Sequence, residues 1–275
     1  MDVIAQGALV KMPAQVGPQV SYQLKLDDQL IDLNSYLGKP IKLTYVGQIN
    51  CTHCGRKTNK SFAQGHCYPC FKKLPQCDLC IMSPEKCHYD QGTCRDPAWG
   101  EQFCFQSHYV YLANSSGVKV GITRGTQIPT RWIDQGAIQA LPILRVETRF
   151  QSGLVERIFA EHVTDKTNWR AMLKGQIDPI DLYAERDRLM QLCHDGLSEL
   201  ENRYGLQAIQ RLPDAEMLVL DFPVLNFPSK ITSLNFDKNP VVEGVLQGIK
   251  GQYLLLDRGV INLRKFTAYQ IEFSA

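Results

Sequence analysis

Alternation of apolar and polar positions marks both ends of the chain. Val20 to Leu26 and Ile41 to Tyr45 alternate at period two and are separated by Gly38-Lys39-Pro40, so they read as strands joined through turns. Val241 to Leu246, Tyr253 to Leu256, Val260 to Leu263 and Thr267 to Phe273 repeat the pattern, broken by Gly248-Ile249-Lys250-Gly251 and Asp257-Arg258-Gly259. Short strands at this spacing predict a small terminal β-barrel, to which the N-terminal strands can add.

The middle of the chain changes period. Tyr109 to Ala113 and Val118 to Thr123 read as strands about an Asn114 to Gly117 turn, a hairpin leading into a helix around Arg131-Trp132 behind Pro129. Leu154, Val155, Ile158, Phe159 and His162 fall at helical spacing after Gly153. Asp178-Pro179 opens a second helical run that stops near Gly205, with Pro in the first turn and Gly past the last. From Cys51 to Cys104 neither period holds. The expected fold class is α+β, divided into N-terminal strands over 1–50, a Cys-rich module over 51–107, a small α/β sheet domain with a helical extension over 108–212, and the barrel over 213–275. There is no internal repeat and no low-complexity linker.

Composition narrows the class. A chain of 275 residues that is 44% apolar has room for several small cores and is not a disordered tail. A membrane span needs about 18 consecutive apolar residues, and stretches such as Met217 to Leu220 fall far short. The start, Met1-Asp2-Val3-Ile4-Ala5-Gln6, has neither a basic region nor an apolar one of the secretory kind. The expectation is a soluble, cytoplasmic protein in a reducing compartment, where its ten cysteines serve metal rather than disulfides.

Charge is unevenly placed beneath a net +2. Residues 51–76 carry Arg56, Lys57, Lys60, Lys72 and Lys73 and no acid, whereas residues 77–108 have two bases against five acids. Residues 109–175 hold nine bases against five acids. Positive charge concentrated in the first Cys cluster and the middle domain suits a polyanion such as nucleic acid, although an ordinary mixed surface reads equally well on charge alone.

Nine of the ten cysteines lie between Cys51 and Cys104. Cys51-x2-Cys54 and Cys67-x2-Cys70 form two knuckles, each able to offer two thiolates to one tetrahedral zinc, with the intervening hairpin bringing them together. A redox CxxC pair is the other chemistry open to this motif, but that use needs one pair beside a βαβ unit. Cys77, Cys80, Cys87 and Cys94 form a second set, for a second zinc, with His88 and Cys104 as further donors nearby. Phe62, Tyr68 and Phe71 around the first set offer faces for base stacking, if the clusters do more than staple the chain. Cys193 reads as a buried core thiol.

Tyr109-Val110-Tyr111, seven residues, Lys119-Val120-Gly121, and then Arg131, Glu156 and Asn168 resemble the GIY-YIG nuclease superfamily in its Lys-Val-Gly variant. The resemblance spans about residues 108–170 and implies that 108–212 is a GIY-YIG-like domain, with both motifs on adjacent strands of a small sheet. It further implies catalytic roles for Tyr111, Lys119, Arg131, Glu156 and Asn168, with Glu156 holding Mg²⁺ or Mn²⁺. Tyr109 stands at the first glycine of the pattern and Lys119 at its second tyrosine. Taken whole, with Cys-Gly-Arg-Lys-Thr, His-Tyr-Val-Tyr-Leu-Ala, Lys-Val-Gly-Ile-Thr-Arg, Arg-Trp-Ile-Asp-Gln-Gly-Ala and Asp-Lys-Thr-Asn-Trp-Arg, the chain resembles a bacterial family built on a domain of unknown function.

The residue types suit the chemistry. A hard divalent cation on a single carboxylate keeps several waters and can still take a scissile phosphate. Arg131 can bind non-bridging oxygens, Tyr111 and Lys119 can act on the attacking water, and Asn168 can orient the Glu156 helix or the phosphate. Plain structural roles are open to the same residues: Tyr111 as a packed strand residue, Lys119 as a solvated strand charge, and Glu156 as an acid near a helix N-terminus. Trp132, Phe159 and Trp169 read as core. The sequence thus predicts a zinc-containing nucleic-acid-binding protein with a metal-dependent phosphodiesterase domain; the alternatives are a non-catalytic nucleic-acid or ribonucleoprotein binder and a zinc-stapled interaction scaffold. DNA is not distinguished from RNA, nor is an oligomeric state.

Overall fold

The structure, a computed structural model, describes residues 1–163 and 168–275. Asp165, Lys166 and Thr167 of the Asp-Lys-Thr-Asn-Trp-Arg run lie outside the described residues. The described residues form an α+β molecule built on two antiparallel sheets.

The larger sheet has ten strands among the described residues, in the spatial order Gly259–Asn262, Tyr253–Leu256, Val241–Lys250, Pro40–Asn50, Tyr269–Ser274, Val3–Val10, Ser21–Leu26, Ala14–Gln15. Gln29–Asp32 adds to Ser21–Leu26, and Lys57–Thr58 adds to Pro40–Asn50. The terminal segments share this sheet, as the alternation at both ends allowed. The expected closed barrel does not form. Pro40–Asn50 lies between Val241–Lys250 and Tyr269–Ser274, so the C-terminal strands cannot close on one another, and the sheet stays open with separate outer strands.

The smaller sheet pairs His108–Asn114 with Val118–Arg124 on one side and Gln139–Val146 on the other, with Ile209–Arg211 and Leu218–Val219 added to Gln139–Val146. Its two faces go to two cores, because successive side chains of a strand point to opposite sides. Val110, Leu112, Val120, Leu141 and Ile143 pack against helices through Val155, Phe159, Leu189 and Leu197. Tyr111, Ala113 and Ala140, with Trp132 and Ile133, join the core of the larger sheet.

The helices follow local signals, with shifted ends. Arg149–Ala160 starts earlier than the apolar period suggested, because Thr148 and Gln151 form a reciprocal capping box: the Gln151 N–H donates to Thr148 Oγ1, and the Thr148 N–H donates to Gln151 Oε1. Glu156 is therefore the eighth residue of this helix, so an N-terminal position does not account for it. The expected run from Asp178 to Gly205 is two helices, Leu182–Leu192 and His194–Tyr204, and its cap is Asp181, which accepts from Tyr183 and Ala184 N–H. Cys193 sits at the joint, buried as expected.

The Cys-rich segment is held by both sheets. Lys57–Thr58 pairs with Ile49–Asn50, and Ser61 Oγ donates to the Thr267 carbonyl. The Pro84–Lys86 turn lies directly on helix Arg149–Ala160 at Gly153: a β-carbon built there would stand 2.6 Å from Glu85 N and 2.7 Å from Pro84 Cβ. Only glycine allows this approach.

Candidate functional site

The first four cysteines converge. The sulfurs of Cys51, Cys54, Cys67 and Cys70 all lie within 4.8 Å of one another, so the set could hold a metal ion. The local chain makes this possible. Gly55 N–H donates to the Cys51 carbonyl in a knuckle turn, while Cys67 precedes helix Tyr68–Lys73 and accepts Phe71 N–H at its carbonyl. Burial opposes ionisation of Cys51. The backbone N–H groups of Cys54, Cys67 and His53 nevertheless stabilise its thiolate and bring its pKa down to about 5. Desolvation and the neighbouring thiols of Cys67, Cys54 and Cys51 push Cys70 up to about 12. Sulfurs this close oppose one another's ionisation, and a cation bound between them would relieve that opposition.

Arg56, Lys57, Lys60, Lys72 and Lys73 are all exposed around this set. The three aromatic rings proposed for stacking pack on each other: Phe62 lies 5.6 Å from Phe71 and 5.5 Å from Tyr68, centroid to centroid. Tyr68 keeps one side in solvent.

The second set is distributed differently from its spacing. Cys80, Cys87, Cys94 and Cys104 line one cavity, whereas Cys77 is buried and takes its electrostatic influence from Arg95 and Cys51. Burial, with the facing charges of Asp78, Cys87, Cys104 and Cys94, pushes the Cys80 thiol up to about 11. Asp78, Cys80 and His88 also offer ligand atoms within 4.8 Å of one another. Asp78 is bound by Arg95 Nε at 2.7 Å, and Arg95 Nη1 donates to the Phe71 and Leu74 carbonyls, tying the two Cys clusters together.

In the smaller sheet, Tyr111 and Gly121 are paired across neighbouring strands, and Lys119 shares their face two residues along. A β-carbon at position 121 would meet the Tyr111 hydroxyl at 2.6 Å, so the glycine of Lys119-Val120-Gly121 leaves room for the phenol. Tyr111 is fully buried and donates to Gln135 Oε1 at 3.0 Å. Burial raises its pKa, against the opposing influence of Arg131 and Gln135, and Glu156 adds to the rise. At neutral pH the phenol is therefore a hydrogen-bond donor rather than a base. Lys119 is buried. Arg131 and Gln135, four apart about the short helix Thr130–Asp134, both address Tyr111.

Glu156 lines a second cavity of about 190 Å³ together with Met82, Ser83, Glu85, Val120 and Arg157. Asn168 stands apart from these groups in its bonding. Its side-chain oxygen caps helix Trp169–Leu173 by accepting Ala171 N–H, and its own N–H donates to Ser116 Oγ. Trp132 and Phe159 are core, and Trp169 stacks on Tyr253 at 5.9 Å and 8°.

Three contributors escaped the sequence. Glu85 reaches the Glu156 cavity from the Cys-rich module, across 71 residues of chain. Arg149, largely buried, donates to the Ile81 carbonyl and lies within electrostatic reach of Cys104, Cys80 and Glu156. Gln135 alone carried a local signal, its four-residue offset from Arg131. At the junction of the two sheets, Asp134 pairs with Lys11 at 2.5 Å and accepts from Gln252 Nε2 at 2.9 Å.

No helix of the described residues is long and apolar enough to cross a membrane. No curated protein and no solved structure matches the chain. A family model described as "Protein of unknown function (DUF2797)" matches residues 38–271, and the chain belongs to that family.

Proposed function

We propose that this DUF2797 protein is a zinc-stapled nucleic-acid-binding protein whose smaller sheet carries a divalent-metal-dependent phosphodiester-cleaving site of the GIY-YIG kind. The observation that supports this best is that Arg131 and Glu156, from two separate helices, each lie within electrostatic reach of the strand residue Tyr111. Zinc is the natural occupant of the Cys51, Cys54, Cys67 and Cys70 set, because four thiolates in a closed arrangement suit a tetrahedral, thiophilic ion. The cavity beside Glu156 suits a different ion: Ser83, Glu85 and Glu156 are hard oxygen donors, as Mg²⁺ and Mn²⁺ prefer.

A hard cation bound there would supply charge to the scissile phosphate and activate water. The chain supplies the rest. Arg131 places a guanidinium for the non-bridging oxygens, where charge grows in the transition state. Tyr111, protonated and held by Gln135, orients rather than deprotonates, and Lys119 brings a second cation to the same sheet face. Asn168 acts at a distance, by capping its helix. The exposed bases around the first Cys set give sequence-independent affinity for a phosphate backbone.

A second reading is favoured by one observation: the complete burial of Tyr111, which suits a sheet kept for binding after chemistry was lost. Labelled RNA and single- and double-stranded DNA, incubated with the protein and its Glu156→Ala form in Mg²⁺ or Mn²⁺, separate the two. Cleavage that falls at least about 100-fold in the variant supports the enzyme. Salt-sensitive binding with no cleavage by either form supports the binder, and absence of both removes nucleic acid as the partner.

A further inference from the structure

We propose that Cys80, Cys87, Cys94 and Cys104 form a second site for a thiophilic divalent cation, with zinc as its occupant, and that Cys77 is not a ligand. The four thiols arrive from four places: the Leu79–Ile81 turn, the end of the Pro84–Lys86 turn, the loop after Gly92, and the last position of helix Pro97–Cys104. They line a single cavity of about 20 Å³, room for one ion and little else. Cys87, Cys104 and Cys94 all lie within electrostatic reach of Cys80. Cys77, the partner of Cys80 in the CxxC spacing, is buried outside this lining, with Arg95 and Cys51 within its electrostatic reach.

Asp78 and His88 are the competing donors: their ligand atoms lie within 4.8 Å of the Cys80 sulfur, but each already has a partner. Asp78 holds Arg95, while the His88 ring stands between Asp78 at 3.5 Å and Thr93 Oγ1 at 2.8 Å. They and Arg95 surround the thiolates as outer partners. Such partners fix the charge and orientation of the ligands.

The site has a consequence for the smaller sheet. Cys80 and Cys87 bracket the Pro84–Lys86 turn, which carries Glu85 into the Glu156 cavity and rests on Gly153. Arg149 grips the same segment at the Ile81 carbonyl. An ion binding Cys80 and Cys87 closes this loop and so holds the Cys-rich module against helix Arg149–Ala160. The device is independent of what the cavity binds.

Zinc per chain, measured by elemental analysis on protein purified without added chelator, tests the assignment. Cys104→Ser should hold one zinc fewer than the parent, while Cys77→Ser and His88→Ala should hold as many as the parent. X-ray absorption on the parent provides a readout that needs no variant to fold: every first-shell scatterer should be sulfur, at about 2.3 Å. An unchanged zinc content in Cys104→Ser, a zinc lost from Cys77→Ser or His88→Ala, or nitrogen or oxygen in the parent's first shell would overturn the proposal.

Discussion

Replacing Gly153 by alanine sets two physical effects against each other. In an exposed helix interior the change stabilises by about 1 kcal/mol, because glycine loses more backbone entropy on folding and alanine is the best helix former. At Gly153 the new methyl would stand 2.6 Å from Glu85 N, 2.7 Å from Pro84 Cβ and 2.9 Å from the Pro84 carbonyl carbon. Carbon contacts are comfortable at about 3.5–4.0 Å, so the helix and the turn must part by roughly 1 Å. Two of the three atoms belong to backbone, which cannot rotate away. Overpacking of this kind costs about 1–3 kcal/mol, so the sign reverses and the variant loses about 1 kcal/mol or more. Urea unfolding of the metal-loaded protein, followed by tryptophan fluorescence, should show a lower midpoint with an unchanged slope. Gly153→Val should fall further than Gly153→Ala. A variant as stable as the parent, or more so, would refute the claim that the Cys-rich module is seated on this helix.

Other perturbations have equally definite outcomes. His108 is buried, and burial, aided by the Arg149 and Arg124 charges and resisted by the Gln106 carbonyl, lowers its pKa from 6.5 to about 4. Between these values the unfolded chain binds a proton that the folded one does not, so stability present above about pH 6.5 is lost as pH falls towards about 4. The loss is at most about 3 kcal/mol, and the same pH slope in His108→Asn would refute it. Asp134→Ala removes the partner of Lys11 and one of the two acceptors of the Gln252 amide at the junction of the sheets, and should cost about 1–3 kcal/mol by denaturant titration; no measurable loss would contradict the pairing. For nucleic acid, Lys72→Glu with Lys73→Glu should make the slope of log affinity against log salt shallower by about 2, and an unaltered slope would move the binding surface off the first Cys set.

The local part of this protein was legible in its residues. Paired CxxC knuckles brought Cys51, Cys54, Cys67 and Cys70 together because two sulfurs with two residues between them on a turn already face one point, and only the hairpin between the knuckles had to close. Period-two alternation marked Val20 to Leu26, Ile41 to Tyr45 and the C-terminal strands of the larger sheet, because burial on one face writes itself into successive residues, but Val3–Val10 and Gln139–Val146 went unread. Capping read less well from the apolar period alone: Thr148 and Gln151 moved a helix start upstream and took Glu156 away from the helix N-terminus.

What spacing could not decide was which distant segments meet. Cys77 and Cys80 are neighbours in a CxxC motif, yet only Cys80 lines the cavity with Cys87, Cys94 and Cys104, because the two sit on successive turns, Pro75–Cys77 and Leu79–Ile81, with different surroundings. The expected barrel failed for a related reason: an N-terminal strand enters between C-terminal ones, and strand order is fixed by long-range pairing that no local alternation encodes. Glu85 shares a cavity with Glu156 only because Gly153 lets two backbones touch. Sequence determined which donor atoms the chain offers and where its strands and helices alternate; tertiary packing decided which of those groups lie together, since that depends on shape fitting between surfaces far apart in the chain.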